Sequence, residues 1–262
     1  MSRFAGRTVL ITGGTAGIGL QTGLAFGALG AQAVLTYAWG SADEDSLRRQ
    51  FAEAGAPDPM LVRAEVSRPE DTEALMHALR NHCDGVEVFI SNASVATTPQ
   101  SLEDYDARAL QQSVGGSAWP LVGYTKALHA TFGAWPRYVV AMSSDGPDRF
   151  SVGYDFVAAS KAVLETLVRY LTWHLRGEDV RVNALRSRGV RTASFEATFG
   201  SELDAVVQAL GAGHRYVPAR EVARAAVALC SGLMDAVNGQ VLTVDRGTAF
   251  SDNLQRIYEA RS

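Results

Sequence analysis

"TGGTAGIG", Thr12 to Gly19, follows a β-branched run, "RTVLIT" from Arg7, and leads into a segment where Ile18, Thr22, Ala25, Phe26 and Leu29 recur at helical spacing. A glycine-rich turn between a strand and a helix has a specific physical use. Glycines reach positive φ without a Cβ penalty and let the backbone come close to a pyrophosphate, while the helix N-terminus offers free N–H groups at the positive end of its dipole. In this context Gly13, Gly17 and Gly19, with Thr15 and Ile18, predict a dinucleotide-binding loop. Outside it, Gly13 and Gly14 would make no more than a tight turn.

Six further runs follow: "AVLTY" at Ala33, "MLVRAEV" at Met60, "VEVFISNA" at Val86, "RYVVAMSS" at Arg137, "VRVNAL" at Val180 and "QVLTVD" at Gln240. They alternate with longer amphipathic segments, the pattern of repeated βαβ units and a mostly parallel sheet covered on both faces. The stretch from Thr192 to Pro218 carries no strand signal and reads as a helical excursion or lid over about 192–218. With 262 residues and 47% apolar content the chain can bury one large core, so residues 1–262 are expected to form a single domain. The net charge is -4 and no Lys/Arg stripe occurs, which argues against a nucleic-acid partner. Two cysteines, Cys83 and Cys230, fit a reducing compartment. No secretory leader pattern and no run of about 18 apolar residues is present, so a cytoplasmic protein without a membrane span is expected. No histidine, including His214 near the lid, has metal-ligand spacing, and no metal is assigned.

Several motifs occur in one order. "SNAS" begins at Ser91, "VNALRSRGVRT" at Val182 and "VDRG" at Val244. With the glycine loop, these make nearly the whole chain resemble the short-chain dehydrogenases/reductases, whose corresponding motifs are TGxxxGxG, NNAG, VNxxxPGxxxT and VDGG. The resemblance implies an α/β fold, a single-domain doubly wound (Rossmann) seven-stranded parallel sheet with a small helical lid, and an NAD(P) cofactor at the C-terminal strand edge. It also implies a small-molecule substrate and a homo-oligomer, a tetramer formed through the helices around Trp119 and Trp173. Beyond the glycine loop, it implies cofactor contacts at Glu65 and Val66 after the third strand, Asn92 and Ala93 of "SNAS", Lys161, Val190 and Thr192.

Cofactor choice turns on the end of the second strand, "TYAWGSADED". No acidic residue stands at Tyr37 to Ser41 to repel a 2′-phosphate, which favours NADPH over NADH weakly. Trp39 stacking on adenine and Ser41 binding a phosphate would serve that choice. Packing of Trp39 on the next helix is the equal alternative.

The catalytic segment is "YDFVAASKAVLE", Tyr154 to Glu165. The resemblance implies a Lys that binds the nicotinamide ribose, a Tyr four residues before it that protonates the forming alkoxide, a Ser that polarises the substrate oxygen and an Asn that relays protons. Lys161 and Ser144 stand in their places. Val157 occupies the Tyr position, and Ser113 takes the place of the Asn. Two readings remain open. Enoyl-thioester reductases of this family place their Tyr seven before the Lys, and Tyr154 stands there, on the same helical face as Lys161 and about 4.5 Å along the axis beyond Val157. Alternatively, the chain resembles ketoreductases that tailor angucycline-type polyketides and lack this Tyr. Ser187 and Arg188 in place of Pro-Gly, and Arg246 in place of a glycine, favour that specialised site by a small margin, with a phenol beside the ketone assisting protonation. A dinucleotide-binding sensor without catalysis is the third possibility. Ser94, Val95, Phe150, Val152, Phe195 and Phe199 are the expected substrate wall, apolar and aromatic.

Overall fold

A computed structural model describes residues 3–38, 43–209, 213 and 216–250. Trp39, Ser41 and His214 lie outside the described residues, as does part of the expected lid. All seven apolar runs become strands: β1 (Thr8–Ile11), β2 (Gln32–Tyr37), β3 (Met60–Arg63), β4 (Val88–Ser91), β5 (Tyr138–Ser144), β6 (Arg181–Ser187) and β7 (Val241–Val244). They pair in the order β3-β2-β1-β4-β5-β6-β7, and every pairing is parallel. The chain builds outward from β1 to β3, then returns to lay β4 beside β1. That reversal opens a crevice beyond the C-terminal ends of β1 and β4, the place where doubly wound sheets bind ligands.

The helices are α1 (Gly17–Gly27), α2 (Glu44–Glu53), α3 (Pro69–Arg80), α4 (Ala107–Ser117), α5 (Trp119–Phe132), α6 (Asp155–His174), α7 (Ala193–Ala209) and α8 (Ala219–Leu229). Strand alternation sends Val9 and Ile11 to one core, with Leu35, Phe26 and Val222, and Leu10 to the other, with Phe89, Leu121, Tyr124 and Leu164. Burial on both faces is why the five inner strands read as continuous apolar runs, while the edge strands β3 and β7 are only half-buried.

The stripe expected on α1 is shifted. Leu29 is exposed, and the buried face is Gly19, Thr22, Gly23, Phe26 and Gly27. Glycines win this face because the helix lies so close to its neighbours. A Cβ on Gly23 would come within 2.9 Å of the Leu35 side chain, and one on Gly27 within 2.7 Å of Ala56 Cβ.

Within the stretch 192–218, the described residues form the helix α7 (Ala193–Ala209). α7 is broken at Gly200, whose φ of 72° and ψ of 171° no helix allows. Arg246, where the resemblance expects glycine, keeps a glycine-like φ of 55°. Its guanidinium pairs with Glu221 on α8 (Nε to Oε2 2.9 Å), so the side chain is tied down although the backbone takes a conformation that non-glycine residues rarely adopt. Cys83 and Cys230 are both free thiols. Among the described residues no helix is long and apolar enough to cross a membrane.

Candidate active site

The C-terminal strand ends open into a cavity of about 1600 Å³. Of the described residues expected at the site, all but Gly19 and Ser113 line it. Gly13 and Gly17 hold φ of +62° and +53°, and α1 begins at Gly17 without a side-chain cap or an acidic residue in its first turn. The free N–H groups and positive dipole end therefore face the cavity uncompensated, which suits a diphosphate. Gly19 acts behind the loop: a Cβ there would lie 2.2 Å from the Gly13 carbonyl oxygen.

The loop is clamped from β4. Asn92 Nδ2 donates to the Thr12 and Gly13 carbonyls at 3.0 and 2.8 Å, and Thr12 Oγ1 accepts from the Asn92 and Ala93 N–H groups. Asn92 thus spends its amide on shaping the glycine loop. Glu65 and Val66, just after β3, line another part of the cavity; the Glu65 carboxylate accepts from Ser67 Oγ at 2.6 Å and pairs with Arg68 at 3.2 Å. Val190 and Thr192 line the cavity as well, Thr192 lying against the loop, where a Cβ on Gly17 would meet its methyl at 3.1 Å, and capping the start of α7 through the Phe195 N–H. These donors and this cradle fit a dinucleotide.

The part of the cavity where Ser144, Tyr154 and Lys161 are expected is built by β5 and α6. Ser144 closes β5, and Tyr154 stands immediately before α6. The Tyr154 hydroxyl donates to Ser144 Oγ at 3.1 Å, so two hydroxyls meet at one point of the cavity wall. Gly146 makes room for this: a Cβ there would press within 2.8 Å of the Tyr154 ring. Burial, with a smaller contribution from Asp145, raises the Tyr154 pKa, and the Ser144 bond offsets that only in part. Tyr154 therefore keeps its proton across the neutral range, as an acid must before it acts. Val157 is buried and presents only methyl groups to the cavity.

Lys161 is buried, and its Nζ donates to the Met142 carbonyl at 2.9 Å. Burial pushes its ammonium down to about 8, with Glu165 pulling the other way. Ser113 is fully buried on α4 and donates to the Val95 carbonyl at 3.1 Å, away from the cavity. Ser117 bonds the same carbonyl and also accepts from the Val95 N–H. These two serines hold the floor segment containing Ser94 and Val95.

Over the floor stands an aromatic wall. Tyr154 stacks on Phe199 with centroids 5.5 Å apart, Phe199 packs on Phe195 at 4.9 Å, and Phe195 meets Tyr216 edge-on at 5.8 Å. Phe150 and Val152 are exposed at the mouth. Arg188, one of the residues replacing Pro-Gly, pairs with Asp145 at 3.1 Å and so ties the end of β6 to the loop after β5. Sequence reading missed Asp145, Gly146 and Tyr216, because none belongs to a motif and each gains its role from a partner distant in the chain.

Known proteins share this arrangement of elements. The family model described as enoyl-(acyl carrier protein) reductase matches residues 13–249. The enoyl-(acyl-carrier-protein) reductase (NADH) FabI of Aquifex aeolicus is 26% identical, covering 94% of this chain and 93% of its own. The short chain dehydrogenase/reductase AacuN of Aspergillus aculeatus is 27% identical, covering 94% and 96%. Among solved structures, a variant of actinorhodin polyketide ketoreductase with NADPH superposes with a TM-score of 0.80 at 22% identity, over 92% of this chain and 96% of its own.

Proposed function

Because the chain belongs to the short-chain dehydrogenase/reductase family of NAD(P)H-dependent oxidoreductases, we propose that it reduces a ketone on a bulky, aromatic, polyketide-type substrate. The observation that carries this is the pair of hydroxyls, Tyr154 and Ser144, 3.1 Å apart beneath an aromatic wall. A carbonyl oxygen has two lone pairs, and a ketone oxygen becomes an alkoxide during reduction. Two donors converging on that oxygen stabilise the developing charge where it forms. The wall of Tyr154, Phe199 and Phe195 suits a flat ring system and would hold it by stacking.

A bound reduced nicotinamide dinucleotide supplies the hydride. The glycine loop and the start of α1 would hold its diphosphate, Glu65 and Val66 its adenine, and Lys161, Val190 and Thr192 its nicotinamide end. Tyr154 then passes its proton to the substrate oxygen while Ser144 donates a hydrogen bond to the same atom. Val157 supplies apolar floor and excludes water from that point. NADPH is the preferred form in this reading: Glu44, the carboxylate brought to the end of β2, is already engaged by the Tyr37 hydroxyl at 3.1 Å and by Arg48 at 3.7 Å. The exposed Trp119, Tyr170 and Trp173 of α5 and α6 would supply the apolar contact of a homo-oligomer in this reading.

Enoyl-thioester reduction is the second reading, favoured by the Tyr154 to Lys161 spacing and by the match to the FabI relative. A substrate panel separates the two. Cofactor oxidation by fused-ring aromatic hydroxyketones, with NADPH preferred over NADH and no turnover of an enoyl thioester, is expected. The reverse specificity would replace the ketone reading, and dinucleotide binding with no turnover on any member would leave a sensor.

A further inference from the structure

Two guanidinium groups line the cavity beside the Tyr154–Ser144 pair, and one carboxylate serves both. Ser144 of β5 and Ser187 of β6 are register partners, so the residues that follow them, Asp145 and Arg188, leave the sheet side by side. Arg188 Nε lies 3.1 Å from Asp145 Oδ2, and Arg149 Nε lies 4.0 Å from the same oxygen. All three residues line the cavity. Backbone carbonyls steer the two cations further: Arg188 Nη1 donates to Thr248 at 3.4 Å, and Arg149 Nη2 donates to Ala249. Neither Nη2 of Arg188 nor Nη1 of Arg149 hydrogen-bonds a described residue.

Asp145 cannot neutralise both groups, so one positive charge on this wall is left unmatched. The nearby Arg186 does not change that balance at the wall, because it is engaged by Glu165 and by Asp148, neither of which lines the cavity. Of the other charged groups that do line it, Glu65 lies after β3 beside Arg68, Glu202 is exposed on α7, and Lys161 is a further cation. Taking a charge out of water is costly unless it is paired, and the planar guanidinium fork matches a carboxylate with two parallel bonds. Asp145 meets both cations at Nε, which holds them in place and leaves Nη donors for a ligand. We infer that Arg149 and Arg188 form an anion subsite, which takes a carboxylate carried on the ring system of the substrate. An aromatic wall alone would accept any flat ketone; this subsite selects the acidic ones. Its place one residue beyond Ser144 sets the carboxylate beside the ketone that Tyr154 and Ser144 would hold.

The subsite rests on the reading above that the cavity takes an aromatic ketone, but its test measures binding and needs no turnover. The protein is titrated by calorimetry with the 1- and 2-carboxylates of anthraquinone and with the matching carboxamides. NADP⁺ is present, and the solution is held at about pH 7, where a carboxyl group is ionised. Within each pair, charge is then the main difference. Expected is at least one isomer bound roughly 10- to 100-fold tighter as the carboxylate, the worth of hydrogen bonds to a charged group. Arg149→Gln and Arg188→Gln should each cut that ratio about tenfold, and Arg149→Lys, which keeps the charge but loses the fork, should fall between Arg149→Gln and the parent. Dinucleotide affinity is measured in the same variants. A parent that prefers neither carboxylate, or glutamine variants that keep the parent ratio, overturns the inference. Variants that lose dinucleotide affinity about tenfold at an unchanged ratio overturn it too, since the arginines then serve the cofactor. Should Arg188→Gln fail to fold, Arg149→Gln decides alone, its side chain being 36% exposed. If no ketone is turned over while the ratios behave as expected, the ketone reading falls and the subsite stands; ketone turnover without a carboxylate preference has the opposite outcome.

Discussion

Replacing Tyr154 by Phe removes one hydroxyl and little else. The ring keeps its stacking partner Phe199 at 5.5 Å and the space that Gly146 leaves for it. Ser144 loses the hydrogen at 3.1 Å, but it lines the cavity and can turn to water, so folding stability should change by less than about 1 kcal/mol. The loss falls on the reaction. A positioned general acid contributes about 10² to 10⁴ in rate, some 3–5 kcal/mol of barrier. Since Ser144 still donates to the substrate oxygen, the lower end of that range is expected: kcat falls about 10²-fold on an aromatic ketone. KM stays within about threefold, because the interaction lost belongs to the transition state. Loss of reduced-nicotinamide absorbance under steady-state conditions measures both quantities, and a thermal melt checks the fold. A variant that retains kcat within about threefold refutes the reasoning and removes Tyr154 from the chemistry. Protonation would then pass to a phenol beside the ketone, and methylating that phenol should abolish turnover by wild type and variant alike.

Gly146→Ala places a methyl within 2.8 Å of the Tyr154 ring, so it should lower kcat at least about tenfold while the melting temperature moves little; full activity would show that the ring position is not critical. Phe199→Ala removes the central ring of the aromatic wall and should raise KM for a fused-ring ketone about 2- to 12-fold, equivalent to a lost aromatic pair of 0.5–1.5 kcal/mol, with little effect on a small aliphatic ketone. Lys161 sits at about 8 in the free protein, so its charge is present on the acid side and is lost as pH rises through that value. Dinucleotide affinity, measured by nicotinamide fluorescence, should therefore weaken above pH 8, and Lys161→Arg should remove that limb because a guanidinium stays charged.

How much of this the sequence carried depends on where each residue's partners lie. The five inner strands were legible because burial on both faces writes a continuous apolar run, a signal local to each segment, whereas the half-buried edge strands β3 and β7 were legible from their β-branched and apolar composition. The glycine loop was legible because its three roles fall within eight residues. The α1 stripe was misplaced, since hydrophobic periodicity scores Leu29 as core and cannot see that a glycine face brings the helix close to Leu35 and Ala56. Asn92 lines the cavity, but the bonds of its amide to carbonyls 79 and 80 residues away could not be read from the segment around it. The Glu165–Arg186 pair spans 21 residues and two elements, and nothing in either segment alone marks the other. Arg246 looked like a broken glycine motif; its backbone keeps the glycine conformation and its side chain has taken on a pairing with Glu221.

The displaced tyrosine carries the same lesson into the chemistry. Val157 and Tyr154 differ by three residues, about 4.5 Å of helical rise. Tyr154 lies just outside the helix, at φ -102° and ψ 4°, where its ring is free to lean over the β5 end and reach Ser144. A reacting oxygen held by Tyr154 and Ser144 therefore sits further toward the start of α6 than one held from position 157, and nearer the Phe199 wall. Val157, buried one turn before Lys161, lines the cavity with an apolar side chain. Shifting the donor thus does more than relocate a proton. On the ketone reading it moves the carbonyl toward the aromatic wall of Phe195 and Phe199, so that a tyrosine displaced to position 154 and a substrate with large attached rings suit one another.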